Sequence, residues 1–533
     1  MDCIAQRIPY RQTNSFSRIA IDYIDQSPVL RPFFAHPPTV AGLKQAIESR
    51  KQSDIDRQVL VNGLKKQYAV INDGSVIKRI EQLSSPDTFT ITTAHQPNVL
   101  TGPLYVIYKI VHAINLAKHC KNQLPEFDFV PVFYMGSEDA DLDELGHIHI
   151  DGKKYEWKTR QTGAVGRMKV DHEFLCLLDE VEGRLAVLPD GKEIVSLARS
   201  CYTRGTLIQD ATFSFLHALF GHEGLIVFIP DDATYKRQMQ NIFEDDLFLQ
   251  KPSELVGDTI REIERAGYKV QANPREINLF YLVEGVRERI TKGHEEFKVV
   301  NTEINFTGES LRKELSNHPE RFSPNVILRG IFQVSVLPDV VFIGGGGELA
   351  YWLQYKKLFE NYNVPMPMLV LRNSFLFLEK STLQKLNRVG LEIDDFFSNT
   401  QEILSRLVEN ESKNRIRLNG VLEKTEEMYE TIRMQAGAID ESLTRHVEAL
   451  KSRAVQRLVE LEKKMLRAEK RKFTDQLRQI EKIKAGLFPA NSLQERHDNL
   501  LFYYAKYGKG FLQTVKKNSL NLEQEFTIVT ISE

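Results

Sequence analysis

The chain has 533 residues, too many for one ordinary core and enough for about two to four domains. With 42% hydrophobic and 27% charged residues it has the composition of a globular protein, and a formal net charge of −2 sets up no global field toward nucleic acid or membrane. No run approaches the roughly 18 apolar residues of a membrane span and no apolar signal segment follows Met1, so the cytoplasm is the expected location.

The four cysteines, Cys3, Cys120, Cys176 and Cys201, form no C-x-x-C pair, which argues against a zinc knuckle or a disulfide framework. Cys120 and Cys176 fall in apolar-periodic stretches and are expected to be small core residues. Residues 1–87 carry apolar stripes over 17–24 and 40–70 and are expected to be mostly helical, packing on a core.

The core starts in segment 88–146. Residues 89–93, Phe-Thr-Ile-Thr-Thr, predict a buried strand that runs into His95, Gln96 and Asn98, then Thr101, Gly102 and Pro103. Leu104, Ile107, Tyr108, Val111, Ile114 and Leu116 then recur at helical spacing to Lys118, with Pro103 suited to a first helical turn. A strand feeding a helix in this way predicts the first step of a doubly wound α/β sheet, where ligands bind outside the carboxyl ends of the strands. His95, Gln96, Asn98, Thr101 and Gly102 therefore lie where a site is expected.

A second strand over 129–135 ends in Glu138, Asp139 and Asp141, carboxylates that need a cation, a helix N-terminus or donors to sit there. A calcium loop is excluded, because its glycine position holds Glu144 and its bidentate acid position Ile150. An insert over 147–220, a small β element followed by helices, precedes a core segment 221–250. That segment carries a third strand over 224–230 ending at Asp231 and Asp232. A second insert covers 251–320.

The core returns over 321–395. An apolar run at 325–329 and a strand to Ile343 lead to Gly344, Gly345, Gly346 and Gly347, and then to a helix starting at Glu348. Such a turn lets backbone N–H groups approach a phosphate. The dinucleotide fingerprint fails at Leu349, and no Walker loop is present. Residues 366–372 predict the last core strand.

From about residue 400 the apolar spacing becomes heptad-like, with one discontinuity at Phe473. It predicts an antiparallel helical hairpin over 396–487, with arms 400–436 and 440–485 each on the order of 55–70 Å long. Such arms do not bury both faces alone, so pairing with a second copy is expected. Residues 451–485 hold 12 Lys or Arg against 5 Asp or Glu, a surplus that could hold RNA but on a coiled coil is usually a solvated face, so nucleic acid is not an expected partner. In segment 488–533, Ser492 and Glu495 suggest a capping box for a last helix, and residues 526–531 a closing strand.

Taken together these stretches resemble the bacillithiol biosynthesis cysteine-adding enzymes, over nearly the full length. The resemblance rests on Thr93-Ala94-His95-Gln96 with Leu100 to Tyr105, on Pro131-Val132-Phe133 leading to Ser137-Glu138-Asp139, and on Gly344 to Gly347 followed by Glu348, Tyr351, Trp352 and Gln354. It implies a Rossmann-like core akin to class I nucleotidyltransferases, inserted connecting segments, and a coiled coil used for homodimerisation. It further implies a ligase that joins the carboxyl group of cysteine to the amine of glucosaminyl malate. ATP is the expected energy donor, with Mg²⁺ as a companion and no permanent cofactor or resident metal.

On this basis His95, Glu138, Asp139, Asp141 and Glu348 are the expected catalytic residues. The His95 loop, the glycine turn, Tyr351, Trp352 and Gln354 would bind substrate or nucleotide, and Arg275 and Arg329 the malate carboxylates. The family pattern departs at Ala140, Gly330 and Val334. Two other classes fit less well: a synthetase-like RNA-binding protein using the basic hairpin, and a non-catalytic scaffold derived from the family.

Overall fold

The computed structural model describes residues 2–71, 73–294, 296–388, 390–411 and 417–532. Five runs rich in β-branched and aromatic residues form one parallel sheet: β1 (Thr88–His95), β2 (Asp128–Met135), β3 (Ile226–Phe228), β4 (Asp339–Gly344) and β5 (Met368–Leu371). Their spatial order is β5-β4-β1-β2-β3, the order of a Rossmann-like doubly wound sheet. The chain builds outward from β1 to β2 and β3, then crosses back to lay β4 on the other side of β1. This reversal opens a crevice at the carboxyl ends of β1 and β4.

Register sets which tips meet there. β1 pairs with β2 from Thr88↔Asp128 to His95↔Met135, and Gly136 N donates to His95 O at 2.8 Å. Ile343 of β4 pairs with Thr93, and Gly344 with Leu371 of β5. The His95 loop, the acidic tip, the glycine turn and Arg372 thus leave the sheet at one level.

Helix α1 (Tyr105–Gln123) covers one face, with Leu116, Ala117 and Cys120 packed in a cluster with Phe89, Ile91, Val341 and Ile343. Each such aliphatic side chain, fully buried, stabilises by about 1.5–3 kcal/mol. Cys120 is in this core, whereas Cys176 is exposed, contrary to its apolar sequence context. The apolar run at 325–329 starts helix α2 (Val326–Val336), whose N-terminus is capped by Asn325 Oδ1 accepting from Ile327 N at 2.8 Å. Helix α3 (Gly346–Trp352) follows the glycine turn. Four strands of the second insert, Leu279–Val283 and Val286–Lys292 among them, form a five-stranded antiparallel sheet with Phe322–Pro324 just beyond it.

Two local expectations change. Residues Cys3–Pro9, inside the stretch expected to be mostly helical, form a strand antiparallel to Glu525–Ile531, a partner that no local pattern announces. The capping box at Ser492 and Glu495 does not form. The helix Leu500–Tyr507 is capped by Asn499, and Glu495 is buried in an ion pair.

One compact unit comprises residues 2–11, 15–377 and 492–532, and a second is built mainly from 378–491. In the second, Asn419–Ile439 and Ser442–Lys470 form an antiparallel hairpin. Leu418 N donates to Glu462 Oε2 at 2.8 Å, and Lys451 lies 3.9 Å from Glu430. The first helix runs past the expected stop at 436, because a glycine inside a helix costs only about 1 kcal/mol and Gly437 is tolerated. The turn Arg471–Phe473 falls where the spacing breaks, before Thr474–Leu487. Residues 412–416 of the expected first arm lie outside the described residues. Among the described residues no helix is long and apolar enough to cross a membrane.

Candidate active site

The tips of β1, β2, β4 and β5 enclose a cavity of about 460 Å³ at the point where the strand order reverses. That volume suits small-molecule substrates. Of the expected residues, His95, Gln96, Asp139, Arg329, Gly345, Gly346, Gly347, Glu348 and Tyr351 line it. The wall carries five cations, Lys109, Arg287, Arg329, Arg372 and Arg496, against two carboxylates, Asp139 and Glu348.

His95 is held at both nitrogens. Gln96 N donates to Nδ1 at 2.7 Å, so that nitrogen carries no proton, and Nε2 therefore donates to the Tyr105 hydroxyl at 2.9 Å. Burial, reinforced by the Lys109 ammonium, pushes the imidazole pKa well below its ordinary 6.5, so the ring is neutral. The Tyr105 hydroxyl, already an acceptor, keeps its own proton for a partner in the cavity. Burial and the nearby Glu348 push its pKa up to about 12.

Lys109 leaves α1 on its buried face, with only 2% of its side chain exposed. Its Nζ donates to Ala94 O at 2.9 Å and pairs with Glu348 Oε2. That same oxygen accepts from Gly345 N at 2.8 Å. The glycine turn is therefore not a vacant phosphate cradle, because the carboxylate of Glu348 stands where a phosphate oxygen would. Arg372 lies beside it, its Nη2 donating to Glu495 Oε1 at 2.7 Å and its guanidinium 5.2 Å from the Tyr105 ring centre.

Across the cavity Asp139 gathers donors. Gln96 Nε2 donates to Oδ2 at 3.1 Å, Arg329 Nη2 lies 3.4 Å from Oδ2, and Arg287 Nη1 lies 3.6 Å from Oδ1. Burial alone would raise this carboxyl's pKa, but the two guanidiniums and Gln96 outweigh it and hold it below its usual value. Glu138, one position earlier, points elsewhere. It pairs with Lys236 in a buried cluster where Lys236 also lies 3.5 Å from Asp231, and Arg167 Nε donates to Asp231 at 2.6 Å. Burial pushes the Glu138 pKa up against the pull of Lys236.

The remaining expected residues do not line the cavity. Asp141 is exposed and caps the short helix Leu142–Leu145, accepting from Glu144 N at 3.1 Å. Asn98, Thr101 and Gly102 belong to a buried turn with three successive positive φ values, 47° at Leu100, 72° at Thr101 and 65° at Gly102. Asn499 Nδ2 locks this turn by donating to Leu100 O at 2.9 Å and Gly102 O at 2.6 Å. Leu104 N at the start of α1 donates to Asp498 O at 2.8 Å, so that N–H is taken up within the protein. Gly344 completes β4, Trp352 stacks on Phe342 at 4.3 Å, Gln354 is buried against the backbone of Gln271 and Ala272, and Arg275 is exposed outside the cavity. Among the described residues, no group of three or more His, Cys, Asp or Glu side chains is arranged to hold a metal ion.

Sequence reasoning misses Tyr105, Lys109, Arg287, Arg372 and Arg496. Two carried a usable signal: Lys109 is a cation inside an apolar helical stripe, four residues after Tyr105, and Arg372 stands at a strand tip just as His95 does. Arg287 and Arg496 carry none, since each sits in a segment with an ordinary local pattern.

Comparison with known proteins agrees with this architecture. The family described as "Bacillithiol biosynthesis BshC, N-terminal Rossmann-like domain" matches residues 3–373, and "Bacillithiol biosynthesis BshC, C-terminal coiled-coil domain" matches residues 375–531. Proteins named "Putative cysteine ligase BshC" are similar along almost their whole length. The one from Flavobacterium johnsoniae is 36% identical over 99% of both chains, and the one from Cytophaga hutchinsonii is 36% identical over 93% of this chain and 94% of its own. That from Christiangramia forsetii is 35% identical over 98% of both. Matched in both of its domains and by relatives of this extent, the chain belongs to the bacillithiol biosynthesis BshC family.

Proposed function

We propose that this chain is a ligase that joins the carboxyl group of cysteine to the amine of glucosaminyl malate, forming bacillithiol, with the carboxyl activated by ATP. The observation that carries this reading is the cavity at the sheet's reversal point, where five cations face two carboxylates. Such a surplus suits substrates bearing carboxylate and phosphate groups. ATP converts the cysteine carboxylate into an acyl-adenylate or acyl-phosphate. The amine lone pair then forms the C–N bond, the C–O bond to the phosphate leaving group breaks, and one proton leaves nitrogen.

The residues divide this work. Arg287 and Arg329, sharing Asp139, receive the malate carboxylates. Tyr105 offers its hydroxyl proton to the oxyanion that develops at the acyl carbon. His95 is a positioning residue, orienting Tyr105 from a neutral ring. Glu348, with 22% of its side chain exposed, orients the substrate ammonium through its second carboxylate oxygen, Oε2 being taken by Lys109 and Gly345 N. Phosphate oxygens are met by side-chain cations rather than by the glycine turn. Asp139 and Glu348 are each committed to cations, so the residues present do not fit a resident metal, and Mg²⁺ enters with the nucleotide.

Incubation of the purified chain with ATP, Mg²⁺, cysteine and glucosaminyl malate is expected to yield bacillithiol by mass. Absence of product with all four present overturns the ligase reading. We also assign self-association to the hairpin, supported by Met428, Ile432, Leu450 and Leu461, which stand 39–51% exposed along its helices.

A further inference from the structure

The cations of the cavity are unequally employed. Arg287 and Arg329 share Asp139, Lys109 has Glu348, and Arg372 has Glu495. Arg496 differs. It lines the cavity and is exposed, yet among the described residues its guanidinium makes no hydrogen bond, ion pair or ring contact.

The backbone that carries it is clamped on both sides. Arg496 closes the turn Gln494–Arg496. Just before it, Glu495 Oε2 accepts from Phe375 N at 3.2 Å, and the Gln494 amide accepts from Phe377 N at 3.0 Å and donates to Phe377 O at 3.1 Å. Just after it, the His497 ring stacks on His149 at 3.9 Å, and Asn499 N donates to His149 O at 3.2 Å. A rigid mount thus presents an unspent, permanently charged fork to the cavity.

Charge counting gives the fork a task. With Glu495 paired to Arg372 from behind the lining, the five cations Lys109, Arg287, Arg329, Arg372 and Arg496 stand against three carboxylates, Glu348, Asp139 and Glu495. Two positive charges are left without a negative partner.

We infer that Arg496 is an oxyanion-recognition residue of this cavity, its guanidinium taking a pair of oxygens from one anionic group of a bound substrate. The inference rests on the ligase reading only for the choice of ligands. Phosphate and carboxylate present the same pair of oxygens. The two sources are the nucleotide on one hand and cysteine or the malate moiety on the other.

The test is calorimetric titration of the full-length wild type, Arg496→Ala and Arg496→Lys with ATP, with malate and with cysteine, each separately. The alanine variant is expected to bind one of the three at least about tenfold more weakly and the other two within about twofold. Lysine, which keeps the charge without the fork, should restore part of the loss. The ligand that weakens names the source. Unchanged affinity for all three, equal weakening for all three, no binding of any by the wild type, or a lowered melting temperature of the alanine variant overturns the inference. Because the readout needs no turnover, failure to form bacillithiol is distinguishable from failure of this assignment.

Discussion

A histidine whose Nδ1 accepts from a peptide N–H and whose Nε2 donates to a tyrosine has no lone pair left for a substrate proton. His95 is in that position, so the rate profile from about pH 6 to 8 is expected to show no ionisation assignable to it. His95→Gln, whose amide can donate to Tyr105, should keep the rate within about tenfold, while a fall of a thousandfold or more would mean that the imidazole moves a proton. The Lys109–Glu348 pair sets a second test. Glu348→Gln leaves a buried ammonium without its carboxylate and should destabilise the chain by about 3–5 kcal/mol in urea unfolding. Adding Lys109→Met should recover most of that loss, because no unpaired charge is then left buried. Additive losses in the double variant would show that the two residues do not act as a pair.

At the scale of elements, the turn before α1 is tightly constrained, with three successive positive φ values. A Cβ added at Gly102 would lie 2.6 Å from Asn98 Cβ, at a φ of +65°. Gly102→Ala is therefore expected to cost about 1–3 kcal/mol and to speed hydrogen exchange in the turn, and Asn499→Ala to loosen the same amides from the other side. Within the sheet, burial raises the pKa of Asp339 from 3.8 to about 7, against donation from Thr90, Thr92 and Gln333. The folded state thus holds a proton that the unfolded chain releases from about pH 4 upward. The contribution to stability is full below that, declines as pH rises toward 7, and is spent above it. Between pH 5 and 7 the stability difference between wild type and Asp339→Asn should shift by about 2–3 kcal/mol at most, and parallel curves would mean that the group does not titrate there. The parallel strands and the tips that matter were legible because β-branched runs end abruptly in His95, Asp139 and the glycines. What could not be read was direction. Spacing puts Asn98 and Thr101 in the same loop as His95, but only Asn499, some 400 residues downstream at Leu100 O and Gly102 O, decides that they turn inward.

For the whole molecule, the hairpin face bearing Met428, Ile432, Leu450 and Leu461 leads to an expectation in solution. Sedimentation should give twice the mass of one chain, and Leu450→Glu with Leu461→Glu should return it to one, whereas a monomeric wild type would remove the hairpin from any role in assembly. The hairpin was visible in its heptad spacing, including the break at Arg471–Phe473. The dependence of the core on residues 492–532 was not, since contacts of such sequence separation leave no local trace. That dependence bears on how the polypeptide is made. A ribosome has delivered all but one of the cavity's twenty wall residues before it reaches Gln494, yet the brace on the His95 loop, the counter-ion for Arg372 and the strand that pairs with Cys3–Pro9 are still to come. A nascent product cut short just beyond the hairpin would hold almost the full set of cavity side chains and lack the pieces that seat them, and is expected to form no product until residues 492–532 are added.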